Sequence, residues 1–138
     1  MNFNDFLEAL EEDAFEEIPV DIEEFVTSKD YLGLPPLSDY QYQMIKAATQ
    51  IYKHETLIKL YGEVEGEKRW KQTCNEVIFQ LGKGSGKDYT STIACSYVVY
   101  LLLCLKDPAR YYGKPPGDSI DIINVAINAI QAQQVFFK

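Results

Sequence analysis

The tightest constraint on this chain is the string Leu81-Gly82-Lys83-Gly84-Ser85-Gly86-Lys87-Asp88, set between two apolar segments of different character. Before it, Asn75 to Leu81 is short, apolar and β-branched, the pattern of a buried parallel strand. After it, Asp88 to Leu105 reads as a long helix. Three glycines in five residues let the backbone curl so that successive N–H groups point inward, and the positive end of the following helix adds to that nest for an anion. A second strand is expected over Ser119 to Ala126. Strand, helix and strand with a crossover of this length predict a right-handed βαβ unit and an α/β fold.

Composition narrows the class. With 138 residues, 46% apolar and 25% charged, one sizeable core is expected. The nearly uninterrupted apolar run Ile93 to Leu105 has 13 residues. A membrane span needs about 20, so the run reads as a buried helix. The acidic start lacks the basic and apolar regions of a secretion signal, so a cytosolic protein is expected. Cys74, Cys95 and Cys104 lack metal-site spacing, and His54 is the single histidine. All four read as structural.

The formal charge of −8 is unevenly spread. Residues 1–28 hold ten acids and no Lys or Arg, which leaves 11 acids against 13 bases in the rest. An acidic segment thus precedes a near-neutral body, and any DNA contact should come from the body or from elsewhere in an assembly. Phe3, Phe6, Leu7, Leu10, Ala14 and Ile18 follow helical spacing behind a possible Asn2 cap, which predicts an amphipathic helix packed on its own domain or docking on another subunit. Tyr31 to Pro36 is a turn-rich joint. Ser38 or Asp39 then caps a helix expected from about Tyr40 to Leu60, Gly62 to Gly66 is a polar break, and a last helix begins at Ala129.

The loop departs from GxxxxGK[ST] at two places: Leu81 stands at the first glycine and Asp88 at the hydroxyl that would bind Mg²⁺. Lys87 is spaced to reach the β- and γ-phosphates of a nucleotide. Asp88 either coordinates the metal, directly or through water, or turns away and favours the helix dipole.

The succession Pro36-Leu-Ser-Asp-Tyr-Gln41-Tyr-Gln43, then Asn75 to Asp88, then Ile123-Asn-Val-Ala-Ile-Asn-Ala-Ile-Gln131-Ala resembles the start of bacteriophage terminase large subunits, over roughly residues 31–137. The resemblance implies residues 1–30 as an acidic helical segment, followed over 31–138 by the N-terminal part of a P-loop ATPase domain, an incomplete P-loop NTPase fold that stops before the Walker B strand. It implies ATP and Mg²⁺ as cofactors. Gln41 or Gln43 would read adenine, and Tyr40 or Tyr42 would stack on the base. Gly82, Lys83, Gly84, Ser85, Gly86, Lys87, Asp88 and Tyr89 would hold the nucleotide, with Lys87 catalytic and Asp88 at the metal. The family's intact protein drives double-stranded DNA into a procapsid in the host cytoplasm. It does so as a homo-oligomeric ring with portal and small-subunit partners, without a membrane, and cuts DNA with a C-terminal nuclease. No apolar strand ending in Asp-Glu and no second acidic cluster occurs here, so the chain alone is expected to turn over ATP negligibly. Another P-loop translocase and a non-catalytic partner-binding protein are the alternative readings.

Overall fold

A computed structural model describes residues 14–126 together with Ile130 and Gln133. Among the described residues up to 126, six helices succeed one another: α1 (Ile22–Thr27), α2 (Asp39–Ala48), α3 (His54–Tyr61), α4 (Glu63–Lys71), α5 (Lys87–Leu103) and α6 (Pro108–Tyr111). The core is built where α5 meets α1 and α2. Ile22, Phe25 and Val26 of α1, Tyr42 and Ile45 of α2, and Ile93, Ala94, Tyr97 and Leu101 of α5 are buried there. The Phe25 ring stacks on Tyr100 at 4.8 Å and lies 5.2 Å from Tyr97. Aromatic pairs of this kind add to the stabilisation from area buried.

The two tyrosines also have polar work to do. Tyr97 Oη donates to the Val20 carbonyl at 2.8 Å, and the Val20 amide donates to Tyr100 Oη at 2.9 Å. Both backbone groups of one residue are therefore satisfied by side chains one turn apart on α5, which anchors the chain entering α1.

Several sequence expectations are corrected. The helix expected from Tyr40 to Leu60 is two helices. Its break carries backbone groups that phenols of the α6 region satisfy: Tyr112 Oη donates to the Ile51 carbonyl at 2.8 Å, and the Lys53 amide donates to Tyr111 Oη at 2.7 Å. Thr49, buried, bonds back to the Ile45 carbonyl at 2.7 Å, and Tyr52 reaches the Leu101 carbonyl at 2.9 Å. Tyr111, Tyr112 and Leu101 are distant in sequence from the break, so local spacing could not reveal it. The polar break at Gly62 to Gly66 shrinks to Gly62 alone, at φ 82°, and the rest is α4.

Helices α3 and α4 form a tight hairpin. His54 Nε2 lies 2.6 Å from Glu67 Oε2, and that hydrogen bond holds the Glu67 carboxyl below the usual range. Arg69 Nε donates to Glu65 at 3.0 Å, its other arm lies 3.3 Å from Asp21, and the guanidinium covers the Tyr61 ring at 3.7 Å. The helix α4 is thereby tied to the start of α1.

Helical spacing at Ala14 and Ile18 does not translate into helix. Phe15 instead bridges Leu105 antiparallel and meets the Tyr52 ring edge-on at 5.3 Å, while Ile18 is exposed. The Asn2 cap and the apolar positions Phe3 to Leu10 lie outside the described residues, as does most of the last helix, of which Ile130 and Gln133 are helical.

Residues 75–81 and 119–126 do not form strands, and among the described residues no β-ladder exists. A parallel strand is held by slanted hydrogen bonds to its neighbours, and neither segment is laid beside the other here. Their apolar side chains are correspondingly uncovered: Ile78, Ile123 and Val125 are largely exposed. Residues 122–124 lie along α5, where Ala94, Cys95 and Val98 help to line a groove of about 280 Å³. All three cysteines are free thiols, and burial raises the Cys104 thiol pKa.

Two outcomes follow from this packing. A Cβ on Gly66 would lie 2.6 Å from Ile58 Cα and 2.7 Å from the Leu57 carbonyl oxygen, both backbone atoms of α3. Gly66→Ala should cost about 2 kcal/mol, read as a lower urea midpoint. Burial raises the pKa of the Tyr52, Tyr97 and Tyr100 phenols above the ordinary 10.0, and pushes Tyr112 up to about 12. The folded state favours neutral phenols, so their stabilising contribution is complete below the unfolded value of about 10 and is lost as pH rises through the folded values. Urea midpoints should stay level from pH 8 to 9 and fall above about 10.

Candidate functional site

The glycine-rich string forms the turn that starts α5. Gly84 and Gly86 have φ of 79° and 74°, in the left-handed region open mainly to glycine, so two of the three glycines are required by the backbone path. Gly86 is the N-cap of α5, with no side chain capping it. Its carbonyl is held from within, accepting from both the Thr90 amide and the Thr90 hydroxyl at 2.9 Å. Thr90 is wholly buried. The first turn is thus fixed on its inner side.

The outer side is open. The amides of Gly86, Lys87, Asp88 and Tyr89 have no acceptor among the described residues, as the first amides of a helix lack intrahelical partners. The Ser85 amide makes a long bond to the Gly82 carbonyl at 3.3 Å. A Cβ placed on Gly82 or Gly84 would meet nothing within 4 Å, so the space beside these two glycines is open. Lys83, Lys87, Asp88 and Tyr89 are exposed. Neither lysine has a carboxylate partner among the described residues, whereas Lys46, Lys68, Lys71 and Lys114 each have one. Asp88 lies in the first turn of α5, where its negative charge favours the dipole, and its side chain has no partner among the described residues.

The two glutamines are separated by the structure. Gln41 lies against the loop: a Cβ on Gly86 would be 3.2 Å from Gln41 Nε2. Gln43, two positions on, is exposed, and residues at that spacing do not share a helix face. Gln41 also completes the N-cap of α2, where Ser38 rather than Asp39 is the capping residue. The Gln41 amide donates to Ser38 Oγ at 3.3 Å, and the Ser38 amide donates to Gln41 Oε1 at 3.0 Å. Tyr42 is buried, its hydroxyl accepting from the Leu37 amide at 3.1 Å, so of the two tyrosines proposed to stack on a base only Tyr40 has an exposed ring.

The donor set fits a polyphosphate: unpaired amides, two lysines without counter-ions and open space beside the glycines. It also fits Mg²⁺ bound through phosphate oxygens and the single carboxylate of Asp88, since this ion usually keeps several waters and takes one or two carboxylates. Among the described residues no group of three or more acidic, His or Cys side chains stands ready for a metal by itself.

The family model described as the N-terminal P-loop domain of the uncharacterized protein MJ0330 matches residues 3–138. The chain belongs to that family. Comparison with curated proteins and with solved structures gives no match. The expected P-loop is therefore shown, and with it the nucleotide-binding class. A phage terminase is not what the matching family describes.

Two supporting residues of the P-loop domain were missed in the sequence as parts of the site. Ser-x-x-Gln over Ser38 to Gln41 is a legible capping-box signature, but its contact with the loop is not. Thr90 reads as one more hydroxyl in Tyr89-Thr-Ser-Thr92, and only its burial marks it as the anchor of Gly86.

The glycines give a graded test. Gly86→Ala forces a side chain into the left-handed region and against Gln41, and should cost about 1–2 kcal/mol in the unfolding midpoint. Gly82→Ala, with open space and no such backbone requirement, should stay within about 0.5 kcal/mol of the parent.

Proposed function

We propose that this chain is the nucleotide-binding portion of an ATP-driven DNA motor of the terminase large-subunit kind. The observation that carries the nucleotide part is the coincidence, at one turn, of unpaired helix-start amides with two lysines that lack counter-ions. In this reading the free amides of Gly86, Lys87, Asp88 and Tyr89 cradle the phosphates, and the Lys87 ammonium reaches the terminal ones and balances charge during transfer. Asp88 holds Mg²⁺ directly or through water, and Gln41 meets the base. When bound, Mg²⁺ would neutralise charge on the phosphate oxygens. In this reading the 138-residue chain by itself binds ATP without appreciable turnover.

The motor part rests on the order of the blocks Gln41, the glycine string and Ile123 to Ala132. In that reading residues 75–81 and 119–126 become neighbouring parallel strands of an α/β sheet once their apolar faces are covered. The whole protein would act as a ring on double-stranded DNA at a procapsid portal with a small subunit, in the host cytoplasm.

Lys87→Ala separates binding from folding. Lys87 is exposed, so the urea midpoint should not move, while ATP·Mg²⁺ affinity by calorimetry should fall at least about tenfold, the value of a charge-assisted contact. Unchanged affinity would refute the cradle. For the motor reading, the whole protein should hydrolyse ATP faster with double-stranded DNA present, and Lys87→Ala should abolish that stimulation.

A further inference from the structure

The side chain that approaches the loop from α2 is held in one orientation. Gln41 Oε1 accepts from the Ser38 amide at 3.0 Å and from the Ser38 hydroxyl at 3.1 Å. A carboxamide oxygen has two lone pairs, and both are taken. The same hydroxyl accepts from the Gln41 amide, so the contact is reciprocal and closed. The end of Gln41 left facing Gly86 is the NH₂ group, which donates and cannot accept.

That orientation has a consequence for base recognition. Adenine offers an acceptor at N7 beside a donor at N6, while guanine offers acceptors at N7 and O6. A carboxamide able to turn freely could pair with adenine by giving one hydrogen bond and taking another. One whose oxygen is tied up can only give, and on that edge of the base N7 is the acceptor that the two purines share. Given the nucleotide-binding reading above, on which this rests, we infer that Ser38 is a specificity-determining positioning residue. It fixes Gln41 as a donor-only contact, so that the site senses purine N7 and does not prefer adenine to guanine.

The test is competition for a fluorescent nucleotide on the whole 138-residue chain with Mg²⁺, using ATP, GTP, 7-deaza-ATP (which lacks the N7 acceptor) and inorganic tripolyphosphate. ATP and GTP should bind within about threefold of each other, and 7-deaza-ATP about fivefold more weakly than ATP, the worth of one hydrogen bond. Gln41→Glu keeps the capping box, because Glu serves equally at that position, yet offers no donor. Its ATP to 7-deaza-ATP ratio should fall to about one, and the ratio cancels the effect of the added charge on phosphate binding. Ser38→Pro suits the residue's φ of −68° and removes both donors to Gln41 at once. With helix content confirmed by circular dichroism, this variant should gain about a fivefold preference for ATP over GTP, and Ser38→Thr should keep the parent pattern. A tenfold ATP preference in the parent, equal binding of ATP and 7-deaza-ATP, or a parent-like ratio in folded Ser38→Pro would each overturn the inference while tripolyphosphate still bound. Failure of tripolyphosphate and every nucleotide to bind would overturn the nucleotide reading as well.

Discussion

Thr90 holding Gly86 is the contact on which the rest of the site depends. A left-handed glycine at a helix start has many alternatives in an unfolded chain. Here its carbonyl is gripped twice by a residue with no solvent exposure, three residues before the buried Ile93. The free amides of α5 face outward because the inner side of the turn is committed to the core. Burial of α5 against α1 and α2 is therefore also what presents the donors, since the turn cannot rotate without pulling Thr90 out of the apolar interior.

The same helix organises the far end of the molecule through a different chemistry. Tyr97 and Tyr100 combine ring stacking on Phe25 with hydrogen bonds to both backbone groups of Val20, and Tyr52 returns a hydroxyl to Leu101. Buried phenols fill space like apolar rings while satisfying backbone that would otherwise be stranded. Ion pairs take a lesser part. Most lie on the surface, where such pairs contribute roughly 0–1 kcal/mol. Arg69, shielded by Tyr61 and held by two carboxylates, is the better-placed exception.

Polar residues at the loop behave differently from polar residues elsewhere. Away from it Lys46, Lys68, Lys71 and Lys114 find acids, Lys53 lies over the Tyr111 ring, and His54 finds Glu67. At the loop Lys83, Lys87 and Asp88 stand without partners among the described residues, and the glutamine that approaches them spends its acceptor on its own helix cap. An arrangement that leaves donors open at one place while closing them elsewhere is what a site for a multiply charged anion requires. The neighbouring acceptor of Gln41 is closed by local helix chemistry, which couples helix capping to base recognition.

Much of this was legible in the residues alone. The glycine string announced a tight turn before a helix, the apolar run announced a buried α5, and Ser38 with Gln41 carried a capping signature, because each depends on neighbours within a few positions. The strand character of residues 75–81 and 119–126 was read from β-branched composition, but a strand exists only through hydrogen bonds to another strand, and composition cannot supply the neighbour. The break between α2 and α3 rests on Tyr111 and Tyr112, about 60 positions away. Likewise nothing in the spacing of Gln41 and Gln43 says which one meets Gly86, for that follows from how α2 crosses α5. Local sequence determined the turn and its helix through backbone geometry and side-chain pattern. Tertiary packing decided which glutamine faces the loop, because that depends on how segments far apart in the chain cross, while the local cap with Ser38 decided which end it presents.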